Sequence, residues 1–119
     1  MNPEDCSDLG DAICVRLAAE IRKLGFCEET LPNFPVYGQA GFQTAKDPYS
    51  GQESLCGVWT NEQGDRIGEI RLHGDGSFYA EYDLCIAHPH DALWFVESVI
   101  AWGRNDVIKT EAKLLPALG

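Results

Sequence analysis

No stretch of this sequence gathers basic charge. Nine Lys and Arg are spread through 119 residues against nineteen Asp and Glu, for a net charge of −10. Arg16, Arg22, Lys23, Lys46, Arg66, Arg71, Arg104, Lys109 and Lys113 form neither a run nor a stripe. Polyanions and anionic bilayers are held by clustered cations, so nucleic acid and membrane surfaces are excluded as partners. No apolar run approaches the ~18 residues that a spanning helix requires. The acidic start, "MNPEDCSDLGD", differs from a secretory leader, which is positive and then apolar. The expectation is a cytoplasmic protein.

Several motifs are also missing. There is no C-x-x-C among the five cysteines, Cys6, Cys14, Cys27, Cys56 and Cys85. Their odd number and wide spacing suit neither a zinc knuckle nor a disulfide framework, and they read as reduced thiols packed as small apolar groups. G-x-S-x-G, G-x-G-x-x-G and the P-loop are absent, and "GQAG" and "HGDG" are turn sequences without a phosphate cradle. "GDGSFYAE" lacks the alternating acids of a calcium loop. No cofactor is implied.

What is present is enough for one folded domain over residues 1–119. Apolar residues make up 45% of the chain, and a domain of this size buries roughly two-thirds of its unfolded surface. Ile13, Leu17, Ile21 and Leu24 recur at helical steps and predict a helix over 8–24. Ser7 or Asp8 is placed to cap it, and Gly25 to end it. Residues 27–53, rich in Pro and Gly, show no period, yet carry Leu31, Phe34, Val36, Tyr37, Phe42 and Tyr49. They read as an ordered loop, with a short strand near Val36, folded over an edge of the core.

"SLCGVWTN", "RIGEIRLH" and "SFYAEYDLCI" read as a three-stranded meander over 54–86. Alternation sets its register: Leu72 faces Phe78, Ile70 faces Ala80, Trp59 faces Gly68 and Leu55 faces Leu72. A slip of one residue would bury Glu69 and Arg71. Gly74-Asp75-Gly76 is then a three-residue loop with Gly76 left-handed.

"HPHDALWFVESVIAW" reads as a second helix over 89–103. Pro89 suits the first position, His88 the cap, and Asp91 the third position against the helix dipole. Gly103 ends it, and "VIKTEAKLL" follows as a fourth strand. The expected fold is α+β: a two-layer sandwich in the order α-loop-β-β-β-α-β, with a mostly antiparallel sheet of about four strands and two helices on one face. Its αβββ start resembles a double-stranded-RNA module, but the basic residues that such a module needs are missing, and no family is implied.

Candidate chemistry is sparse. His73 lies at the turn end of strands two and three and His88 beyond the other end of strand three, about ten residues at roughly 3.3 Å each away, so three histidines do not converge, and no metal is assigned. His88 or His90 beside Asp91 is a weak acid–base candidate. On the outer side of the meander Glu69 falls opposite Glu81, with Asp83 two residues on. Such a pair needs Arg66, Arg71, a proton or a cation to relieve it, and two carboxylates with split pKa values can work as acid and base. Tyr79 and Arg71 form the next row, with Cys56 beside Arg71.

On the wheel of the second helix, Ala92, Val96, Val99 and Gly103 face the core. Trp94 points away, a contact residue unless the long loop or the C-terminal "PALG" covers it. The favoured function is a small acidic binding or protein-interaction protein that self-associates, as a homodimer, or serves as an accessory subunit, through Trp94, Tyr79 and Arg71. The alternative is a small enzyme using Glu69, Glu81 and Asp83, with or without a histidine.

Overall fold

The computed structural model describes residues 1–31 and 33–117. One helix, α1 (Ser7–Lys23), precedes six strands: β1 (Gly41–Lys46), β2 (Glu53–Thr60), β3 (Arg66–His73), β4 (Ser77–Ala87), β5 (Trp94–Arg104) and β6 (Val107–Pro116). The strands form a single antiparallel sheet in sequence order, each paired only with its chain neighbours. This corrects the expected architecture. Among the described residues there is one α-helix, not two, and the sheet has six strands, not about four.

The first helix forms as its spacing requires. Ile13, Leu17 and Ile21 are fully buried, and Phe26 folds back beneath the helix end. The start differs from expectation. Neither Ser7 nor Asp8 caps the helix. A 3-10 turn over Pro3–Cys6 leads into it, and the Asn2 side chain accepts from the Asp5 amide at 3.0 Å. α1 lies against β5 and β6, and its buried stripe meets Leu55, Ile70, Leu72, Val96 and Val99. Each such aliphatic side chain contributes roughly 1.5–3 kcal/mol by leaving water.

The meander over β2, β3 and β4 has the register that alternation dictates. Leu72 pairs with Phe78, Ile70 with Ala80, Trp59 with Gly68 and Leu55 with Leu72. Gly76 takes a φ of 89° and its amide bonds to the His73 carbonyl at 3.0 Å, closing the three-residue loop.

The predicted second helix is β5. "HPHD" does begin like a helix: His88 Nδ1 accepts from the backbone amides of His90 and Asp91 at 3.1 and 3.0 Å, which is the bonding of a cap. After one turn the Trp94 amide bonds to the Asp91 carbonyl, and the chain enters a strand rich in Val, Ile and aromatic residues. A β-bulge explains the false helical period. Against β6 the register of β5 shifts between Val96 and Ser98, and against β4 the shift lies on β4 between Asp83 and Ile86, so Val96 and Val99 both face the core although they lie three apart. Gly103 does not end a helix. It sits within β5 at φ 152°, where a Cβ would run into the Val107 carbonyl oxygen, just before the tight Asn105-Asp106 hairpin.

The long loop also holds more than expected. Val36 is exposed and not in a strand; β1 begins at Gly41. Tyr37 is buried across the helix, its hydroxyl donating to the Pro3 carbonyl at 2.7 Å, and Trp59 Nε1 donates to the Val36 carbonyl at 2.8 Å. These bonds tie the loop to both layers. No described helix is long and apolar enough to cross a membrane.

Candidate functional site

α1 covers one face of the sheet. The other face has no second layer among the described residues, and alternation along the strands determines what it presents. Cys56, Arg71, Tyr79, Trp102 and Lys109 fall in one row, and Val58, Glu69, Glu81, Ile100 and Glu111 in the next. Asp83, Ser98 and Lys113 follow. The bulge in β5 re-aims its first residues, so that Phe95 and Leu115 extend this face and Trp94 shares the helix side with Val96.

The three candidate carboxylates do converge. Glu69 and Glu81 are direct cross-strand partners, and Arg66 reaches all three acids: Glu69 at 3.2 Å, Glu81 at 3.5 Å and Asp83 at 2.7 Å. Arg71 adds a second bond to Glu69 at 3.1 Å, and Lys113 approaches Glu81 at 4.0 Å. Cations therefore relieve the facing acids. Burial pushes the Asp83 carboxyl above its ordinary value, against the pull of Arg66. Burial works against the Arg66 charge, but Asp83, Glu69 and Glu81 together hold the guanidinium above its usual pKa.

Across the middle of this face, Glu69, Glu81, Asp83 and Glu111 are balanced by Arg66, Arg71, Lys109 and Lys113. The net −10 of the chain is carried elsewhere. Between the charges lie Tyr79, Trp102 and Ile100, the last only 9% exposed, with Leu115 45% exposed at the margin. Burial, with the Glu81 charge next, raises the Tyr79 hydroxyl pKa and keeps it protonated. Ser98, fully buried, leaves its hydroxyl without a partner among the described residues.

The remaining candidates stand apart from this group. His88 and His90 lie in the turn before β5, and His90 packs with Pro89 against Gly25 at the end of α1. Among the described residues no three His, Cys, Asp or Glu side chains are grouped to hold a metal ion. Trp94 opens β5 opposite Pro116 and is 38% exposed. It lies on no helix, so the wheel that aimed it away from the core does not apply. Leu118 and Gly119 of the suggested "PALG" cover lie outside the described residues; the Ala117 amide bonds to the Leu93 carbonyl at 2.8 Å.

One pair was missed in the sequence. Ser54 Oγ and His73 Nδ1 are 2.7 Å apart across β2 and β3. Their facing follows from the pairing of Leu55 with Leu72, but neither residue alone announces it. Comparison with protein-family models, with curated proteins and with solved structures found no match.

Proposed function

We propose that this chain is a small acidic protein-interaction module that self-associates through the uncovered face of its sheet. The single observation behind the reading is that face: six strands wide, without a second layer, apolar around Tyr79, Ile100 and Trp102, and charge-balanced in a molecule of net −10. An aromatic centre with a polar rim is the anatomy of a protein contact. Charge points to the partner. Elsewhere two copies bring acid to acid, whereas here their charges compensate. Closed two-fold dimers are the commonest assembly that such a face builds. Catalysis through Glu69, Glu81 and Asp83 has less support, because one guanidinium engages all three carboxylates. Five free cysteines suit a reducing compartment, so we place the protein in the cytoplasm.

Dilution followed by NMR tests the reading. Resonances of Tyr79, Ile100 and Trp102 should move with concentration while those on the exposed side of α1 stay fixed. Concentration dependence confined to α1, or to the Trp94 end of the sheet, would refute the outer face as the contact.

A further inference from the structure

The β1–β3 half of the outer face holds a second feature, separate from the apolar β4–β6 half. A groove of about 320 Å³ opens there, lined by Lys46, Asp47, Ser54, Cys56, Arg71 and His73. Three adjacent strands build it. Ala45 pairs with Ser54 and Ser54 with His73, while Cys56 pairs with Arg71 in the next row.

The groove is rich in donors. His73 Nδ1 and the Ser54 hydroxyl are 2.7 Å apart; with the hydroxyl donating to Nδ1, the ring carries its proton on Nε2. Arg71 bonds to Glu69 through Nε at 3.1 Å and lies beside the Cys56 thiol, and its terminal nitrogens make no ion pair among the described residues. Lys46, cross-strand partner of Glu53, acts on that carboxylate by its charge but makes no ion pair among the described residues. The one acid, Asp47, turns its Oδ1 back onto its own loop, accepting from the amides of Tyr49 and Ser50 at 2.7 and 3.2 Å. In a chain with more than twice as many acids as bases, a groove that gathers Lys, Arg and His is suited to an anion.

We propose that this groove binds the dianionic phosphate of a small phosphate monoester. An arginine fork, a lysine point charge and an imidazole N–H suit a phosphate and give it charge-assisted bonds, while the Ser54 hydroxyl holds the ring. Donors from β1 and β3, set on either side of β2, suit a tetrahedral anion better than a planar carboxylate. The volume lies at the lower end of small-molecule sites. Ser54 positions the His73 ring here and is not a nucleophile, since no described residue orients His73 as the third member of a triad would.

The test is an NMR titration of the full chain with glycerol 3-phosphate, inorganic phosphate and a phosphoserine peptide. Saturable shifts are expected for both small phosphates at residues 45–47, 54–56 and 71–73 and at the His73 ring. Lys46→Gln/Arg71→Gln should weaken binding about tenfold or more, because each lost charge-assisted bond carries more than a neutral one. Lys46→Gln alone, on an exposed strand end, should weaken it in a protein that remains folded. Linear, unsaturable shifts, or binding unchanged by Lys46→Gln, would overturn the site. A phosphoserine peptide that binds about tenfold tighter than glycerol 3-phosphate would overturn the small-molecule assignment in favour of a phosphoprotein.

Discussion

Asp75 shows how a turn residue makes stability depend on pH. Its carboxylate accepts from the Ser77 hydroxyl at 2.6 Å and the Ser77 amide at 2.9 Å, with Arg104 at 3.1 Å. These bonds, led by those from Ser77, lower its pKa from 3.8 to about 2. A depressed carboxylate stabilises the fold fully above its unfolded value and loses that contribution as pH falls through the folded one. Asp75→Asn should therefore flatten the decline in stability between about pH 4 and pH 2, read from denaturant midpoints. An unchanged acid profile would mean that other groups set it. Arg66 is the other decisive residue. Removing it leaves Glu69, Glu81 and Asp83 with fewer cations. Because Arg66 is itself two-fifths exposed, solvent screens much of the effect. Arg66→Gln should cost about 1 kcal/mol at neutral pH, and less in acid, where Asp83 takes up a proton. Equal loss at both pH values would count against an electrostatic role.

The turn between β4 and β5 acts as an aborted helix start, and its cap can be tested as one. His88→Asn keeps an acceptor for the amides of His90 and Asp91 and should change stability by no more than a few tenths of a kcal/mol. His88→Ala removes it and should cost about 1 kcal/mol, measured by thermal or chemical unfolding. Equal behaviour of the two variants would show that the cap does not matter. The same region explains what the sequence concealed. Glycine turns and strict alternation make the β2–β4 register legible, and with it the facing of Glu69 and Glu81. In β5 the bulge at Glu97 replaces the step of two by a step of three. Val96 and Val99 then mimic a helix behind a genuine cap. β1 was hidden for another reason: it is a short edge strand whose inward row is Phe42, Thr44 and Lys46, with one large apolar group among them and so no period to show. The Ser54–His73 pair was implicit in the register, but only facing, not type, makes those residues notable.

At the scale of the molecule, a single helix cannot cover a six-stranded sheet on both sides. The body measures 48 × 28 × 25 Å, and α1 lies along one face near β5 and β6. What remains is a broad face that mixes balanced charge with aromatic groups, on a molecule whose other surfaces carry the net −10. Long-range repulsion between copies is screened beyond about 8 Å at physiological ionic strength, so moderate salt should favour their approach. The most direct test of this account is sedimentation velocity across a concentration series, comparing the wild-type chain with Trp102→Glu and, separately, Trp94→Ala. The wild type is expected to form a concentration-dependent dimer, lost in Trp102→Glu with the monomer still folded and kept in Trp94→Ala. A wild-type monomer at every concentration, or a dimer lost through Trp94 and untouched by Trp102→Glu, would contradict it.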